Sequence, residues 1–213
     1  MVCVDPIACG VLRRPGEAAA DIVAAEGQPL GLPPYYGGMT LGMLGARRSL
    51  LRRMPGRIVG ETTDVEGRRG YVLTLQTREQ HIRREKASSN ICTNQALCAL
   101  RAAVYLAVMG AKGLRDVACA CYAASHYAAE GISRLAGFSV RYGAPFFKEF
   151  VVQCPRDAQE IAVDLRGDGI LAGVPLSRFF PERRNELLIA CTERRTHEEI
   201  DRLIRALASA GRR

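Results

Sequence analysis

The sequence predicts an α/β fold. Three observations carry this prediction. The last third alternates β-prone and helical segments, the middle holds two long Ala-rich helical stretches, and the first third is a series of short β-prone runs punctuated by Gly and Pro. With 48% apolar and 24% charged residues over 213 positions, the chain has the composition of a globular protein rather than of a disordered one.

Taken in order, residues 2–10 alternate apolar residues with breakers and predict a short strand ending at Asp5-Pro6. Residues 12–17 form a Pro/Gly-marked loop, and Asp21-Ile22-Val23-Ala24 reads as a short buried strand. Residues 26–40 contain Gly27, Gly31, Pro33, Pro34, Gly37 and Gly38, which excludes helix over most of that stretch. Residues 41–44 predict another strand, and residues 47–53 a short basic helix stopped by Pro55-Gly56. Residues 57–61 and 69–75 are β-prone and are joined by Asp64-Val65-Glu66-Gly67, the pattern of a hairpin.

Residues 76–95 then form a polar loop rich in Arg, Gln, Asn and Thr, with His81 among them. Ser89 or Asn90 caps a helix that runs to Met109 and ends at Gly110, and a second helix covers residues 114–136 and closes at Gly137. Beyond it the expected order is a strand (147–153), a helix (157–165) begun near Pro155, two short strands (169–173 and 186–191) and a final amphipathic helix (196–208). That last helix has Thr196 as N-cap, Glu198 and Glu199 in its first turn, and Ile200, Leu203, Ile204 and Leu207 as its apolar stripe. The expected domain boundary lies near residue 88, separating residues 1–88 from 89–213.

Charge and cysteine usage narrow the function. The net charge is +8, and residues 46–86 alone hold ten Arg and one Lys against five acids. The chain has no Trp, its aromatics are scattered and no nucleic-acid-binding signature is present, so nucleic acid is not the expected partner. The uninterrupted apolar runs, residues 102–109 and 117–124, are short of a membrane span, and no basic segment followed by an apolar one opens the chain; the expectation is a cytoplasmic protein that does not engage a membrane. Eight cysteines include no paired CxxC, and Cys98, Cys119 and Cys121 sit among Ala and Leu as buried free thiols do, so neither disulfides nor a metal site is expected.

The polar stretch places the chain in a family. Pro55-Gly56-Arg57-Ile58-Val59-Gly60-Glu61-Thr62, then Leu73-Thr74-Leu75-Gln76-Thr77-Arg78-Glu79-Gln80-His81-Ile82-Arg83-Arg84-Glu85-Lys86-Ala87, then Ser89-Asn90-Ile91-Cys92-Thr93-Asn94-Gln95 closely resemble subunit 1 of glycine dehydrogenase (decarboxylating), the P-protein of the glycine cleavage system. The segment from Asp21 through Gly27-Gln28-Pro29-Leu30-Gly31 to Gly37-Gly38, and the ending from Cys191-Thr192-Glu193 to Ile200-Asp201, resemble it as well. The resemblance implies the C-terminal part of a pyridoxal-phosphate fold type I subunit: a remnant of the large cofactor-type domain followed by a small α/β domain. The family's subunit is about twice as long as this chain, which looks like a piece of a longer subunit or of a split gene. Pro29 stands where the family usually has Ser and where the catalytic sister subunit has its cofactor lysine. Proline has no nucleophilic amine, so no Schiff base can form there. Of the three lysines, Lys112 and Lys148 read as solvated, and Lys86 lies among arginines that suit anions.

The resemblance therefore implies the non-lysine half of a two-subunit enzyme. Pyridoxal phosphate would be held covalently by subunit 2, the site would form between the subunits, and glycine decarboxylation would be followed by aminomethyl transfer to the lipoyl H-protein. This chain alone would be silent. Candidates for contact with the composite site are Arg78, His81, Arg83 and Arg84, with Thr93 and Asn94 as donors at a helix start. The same arginines also suit an ion-pair network with Glu79 and Glu85 that fixes a subunit interface, or a plain solvated surface. The basic run at 47–53 could steer the acidic lipoyl protein or be a solvated helix face. Gly37-Gly38 could border the site or form a turn, His126 reads as a core or interface residue, and His197 as exposed. A reading from another class is a non-enzymatic interaction or regulatory module surviving from a broken gene.

Overall fold

The computed structural model describes residues 1–74, 80–87, 89–91 and 94–212. They form two compact units, Met1–Gly110 and Ala111–Arg213.

In the first unit the central strand is β2 (Ile22–Glu26). It pairs in parallel with β1 (Val2–Val4), matching Val2 to Val23, and in antiparallel with β3 (Gly42–Ala46), matching Ile22 to Ala46 and Glu26 to Gly42. Between β1 and β2, the Asp5 carboxylate accepts the Ile7 N–H at 2.9 Å and starts a 3-10 turn whose Ile7 and Ala8 are buried. After β3 the basic run folds as a 3-10 helix, Arg48–Arg53, with Arg48, Arg52 and Arg53 exposed. Strands β4 (Ile58–Thr63) and β5 (Arg69–Thr74) form the expected hairpin, with Ile58 opposite Thr74 and Thr63 opposite Arg69. Its turn is held by Asp64, whose carboxylate accepts the N–H groups of Glu66 and Arg68, each at 2.9 Å; Gly67 supplies the left-handed residue, φ 78°. A short helix, α1 (Gln80–Arg83), runs into a 3-10 turn, Arg84–Lys86.

The long helical stretch α2 (Ala96–Ser133) is interrupted at Gly110, where φ 61° and ψ −175° leave the helical region, so the two helices expected on either side of that residue are both present. The first begins later than expected. Neither Ser89 nor Asn90 caps it; Asn94 does, its Oδ1 accepting the Ala96 N–H at 3.1 Å, while the Gln95 carbonyl accepts from Ala99. Among the described residues, α2 is the one helix that is long and apolar enough by composition to cross a membrane, a length that the short uninterrupted apolar runs do not reveal.

The second unit is a four-stranded antiparallel sheet with its own core. The order is β6 (Ser139–Val140), β7 (Glu149–Gln153), β9 (Glu186–Ala190), β8 (Val174–Pro175). Phe150 faces Ile189 and Val152 faces Leu187 across the central pair. Helices α3 (Ala158–Gly167) and α4 (His197–Ala210) bury Ile161 and Leu165, and Ile200, Leu203 and Leu207, in one cluster with Val152, Leu187, Ile189 and Ile132. Thr196 caps α4 as expected, in a reciprocal box with Glu199.

The strand expected at 169–173 is absent. Gly169, at φ 73°, ends α3, and Ile170 N donates back to the Leu165 carbonyl at 2.9 Å. Pairing begins only at Val174; just before it, at Gly173, the backbone comes so close to β9 that a Cβ would lie 2.2 Å from the Leu188 carbonyl oxygen. Strand β6 lay outside the expected set, since two residues carry no periodicity. Cys98 and Cys121 are buried as expected, but Cys119, two positions before Cys121 on the same helix, is exposed.

Candidate functional site

The loop that leaves β2 is built by backbone bonds and one carboxylate. Glu26 Oε1 accepts the Gln28 N–H at 2.9 Å and the Leu41 N–H at 2.7 Å, tying the end of β2 to the chain just before β3. The Gly27 N–H donates to the Leu41 carbonyl at 2.7 Å, and the backbone there lies close against Leu41, so that an added Cβ would meet its Cδ2 at 2.9 Å. Leu30 N donates to the Gly27 carbonyl and Leu32 N to the Gln28 carbonyl, while Leu30 and Leu32 anchor the loop by burial. The first half of α2 closes one side: Arg101 Nε donates to the Gly31 carbonyl at 2.7 Å, and Gly31 rests against Tyr105 with φ 83°. Pro29 stands exposed at the head of this frame. Sequence reasoning missed Glu26 and Arg101 as the loop's supports; an acid at a strand end just before a Gly was the available signal for the first.

Of the residues expected at the site, His81, Arg83 and Arg84 lie together on the short helical segment formed by α1 and the turn after it, all exposed alongside Glu85 and Lys86. Arg84 has a left-handed backbone, φ 52°, a conformation that costs a residue with a Cβ about 1–2 kcal/mol. Asn94 caps its own helix with its side-chain oxygen, which accepts the Ala96 N–H. Arg78 and Thr93 lie outside the described residues, as does Glu79. Gly38 closes a turn on the Tyr35 carbonyl at 3.1 Å.

Among the described residues, two buried thiols are not poised as nucleophiles. Burial, and then its hydrogen bond to Glu193, pushes the Cys121 thiol up to about 11, and burial pushes Cys154 up to about 12; both thiols are protonated at neutral pH. His126 is half-buried and stacked between Tyr122 and Phe146, at ring distances of 3.8 and 4.2 Å, with Nδ1 on the Tyr122 carbonyl at 2.9 Å. His197 is exposed and stacks on Tyr127, whose hydroxyl donates to Asp201 at 2.8 Å and is held above its ordinary value by that bond. Lys112 is exposed and paired with Asp116, and Lys148 is half-buried rather than fully solvated. Among the described residues no group of three or more His, Cys, Asp or Glu could hold a metal ion.

The fold is that of the pyridoxal-phosphate fold type I enzymes. A NifS-like protein from Rickettsia africae superposes with a TM-score of 0.61 at 13% identity, covering 98% of this chain and 52% of its own. A C-DES mutant with glycine covalently linked to its PLP cofactor superposes with a TM-score of 0.59 at 17% identity, covering 93% and 49%. At higher identity, the crystal structure of glycine decarboxylase (P-protein) of the glycine cleavage system, in inhibitor-bound form, matches with a TM-score of 0.91 at 41% identity, over 98% of this chain and 47% of that one. The family model for the glycine cleavage system P-protein matches residues 1–207, and the chain belongs to that family. It is 53% identical over 210 residues to the probable glycine dehydrogenase (decarboxylating) subunit 1 of Thermomicrobium roseum and 54% identical over 207 residues to that of Carboxydothermus hydrogenoformans. It covers 99% and 97% of itself in these matches but 47% and 46% of the relatives, so the chain spans about half the length of the curated relatives it matches.

The loop after β2 does not fit a covalently held pyridoxal phosphate. It contains Gly27, Gln28, Pro29 and Leu30, and no amine.

Proposed function

We propose that this chain is the part of a glycine-decarboxylating P-protein that carries no cofactor lysine. It completes a composite site with a second subunit whose lysine holds pyridoxal phosphate, and the assembled enzyme passes the aminomethyl group to a lipoyl H-protein. The observation that carries this reading is Pro29, exposed at the head of a loop whose frame is fully formed but which offers no amine. Membership of the P-protein family and the subunit 1 relatives support it. On this reading residues 1–88 are the remnant of the large cofactor-type domain, and residues 89–213 supply the long helices and the small α/β domain.

Pyridoxal phosphate, when bound, supplies the electron sink for loss of carbon dioxide. This chain's contribution is positive charge on a fixed frame. Arg83 and Arg84, presented on a short exposed helical segment, suit the bidentate capture of a carboxylate or phosphate, either of the ligand or of an acid on the partner subunit. With Arg78, His81, Thr93 and Asn94 they form the set assigned to the composite site or to the interface around it.

The test is reconstitution of this chain with the rest of the subunit and with the lysine-bearing partner, followed by glycine–bicarbonate exchange. The chain alone is expected to show no exchange and no cofactor–lysine absorbance. In the reconstituted enzyme, R83A/R84A is expected to lower exchange or the yield of complex by roughly tenfold or more, the loss typical of a severed charge contact. Unchanged turnover together with unchanged assembly would show that these arginines do neither job. Failure of the wild-type chain to enter any complex would remove the composite-site reading itself.

A further inference from the structure

The second unit carries a cleft of about 350 Å³ that the proposed function does not use. One wall is a single stripe of α3, Gln159, Ala162 and Arg166, spaced three and four residues apart so that all three lie on one face. The opposite wall is Arg178, at the end of the 3-10 turn Leu176–Arg178 that follows β8. The floor is kept low by small residues: Ala162 and Ala172 are buried, and Gly173 adds no side chain.

The electrostatics of the cleft are one-sided. No Asp or Glu lines it. The nearest acids along α3, Glu160 and Asp164, are both engaged by Arg156, which also donates to the Ala210 carbonyl. Arg166 and Arg178 form no ion pair among the described residues, although many other arginines of this unit do so, Arg141, Arg183, Arg184 and Arg195 among them. The cleft therefore presents two uncompensated guanidinium groups and one amide around a small apolar floor. Its size lies in the range of small-ligand sites, and guanidinium forks suit oxyanions.

We infer that this cleft binds a small molecule bearing a phosphate or a pair of carboxylates, through Arg166 and Arg178, with Gln159 as an additional donor. The inference is independent of the composite-site reading, since it uses only residues of the second unit and none of the loop after β2.

The experiment is calorimetric titration of the full 213-residue chain, at constant ionic strength, with inorganic phosphate and separately with citrate, which distinguishes the two oxyanion sources. Saturable binding of at least one is expected in the wild type. R166A/R178A is expected to weaken it by roughly tenfold or more, the effect of losing two charge-assisted hydrogen bonds. R205A/R212A, which removes the same charge from exposed positions outside the cleft, is expected to change it little. Arg166 also stands in the last turn of α3, where a cation complements the helix end, so melting is followed on the same samples and R166Q/R178Q is run beside the alanine pair. A stability change without a change in affinity, equal weakening in the control pair, or no saturable binding to either anion would overturn the assignment.

Discussion

Gly31 shows how much a single residue can be asked to do. Its φ of 83° is a conformation that favours glycine, its missing Cβ leaves room for Tyr105, which an added Cβ would approach to 2.8 Å, and its carbonyl accepts from Arg101. All three requirements fall on the loop that holds Pro29. Gly31→Ala is expected to destabilise the chain by about 1–3 kcal/mol, through overpacking and a strained backbone. Denaturant unfolding followed by circular dichroism measures it, and an unchanged midpoint would show that the loop yields freely. Asp157 shows a residue acting through its charge. Its carboxylate caps α3 on the Gln159 N–H at 2.8 Å and also accepts from Arg184, and the first of these contacts leads in holding it below the ordinary value of 3.8. A lowered folded value means that its stabilisation is complete above the unfolded value and is lost as pH falls through the folded one. Asp157→Asn keeps an acceptor but cannot titrate, so its stability is expected to fall less steeply than the wild type's below the ordinary carboxylate value, as read by melting at a series of acid pH values.

At the level of elements, the capping box of α4 is the cleanest case of chemistry written in the sequence. Thr196→Ala removes the oxygen that accepts the Glu199 N–H and is expected to cost about 1 kcal/mol, visible as a lower melting temperature, whereas Thr196→Ser should restore most of it. Segments of this kind were legible from residues alone. The hairpin followed from the Asp64–Gly67 turn chemistry, the division of α2 from Gly110, and the stripe of α4 from its period. What the residues did not reveal were outcomes decided by tertiary contact. Residues 169–173 look β-prone, yet Gly169 is spent on closing α3 and Gly173 on a close approach to Leu188. The start of α2 was expected to be capped by Ser89 or Asn90, and Asn94, which was not among the expected caps, takes that place. At the candidate site the polar run was recognisable, while Glu26 and Arg101, which shape the loop, act across 15 and 70 positions and leave no local pattern.

On the scale of the whole molecule, the core is unevenly shared. The second unit gathers buried side chains from β7, β9, α3, α4 and the end of α2 into one cluster. Up to Gly110, the buried apolar residues are few, among them Ile7, Leu30, Leu32, Leu41 and Cys98, and Leu97, Leu100, Val104 and Val108 form an exposed apolar stripe on α2. Local stability follows buried apolar contact. Native-state hydrogen exchange is therefore expected to find the slowest amides in β7, β9, α3 and α4, with β1–β3 opening at much lower free energy. Equal protection of the two sheets would contradict this division.

The frame around Pro29 has a consequence for heredity as well as for chemistry. The bonds that shape the loop come from Glu26, Gly27, Leu30, Leu32, Gly31 and Arg101, and none of them uses the side chain at position 29. The loop can therefore keep its form whichever residue occupies its head. A lineage could lose a reactive side chain at that position without losing the fold, leaving a protein that retains the scaffold of an active site after its chemistry has passed to another gene.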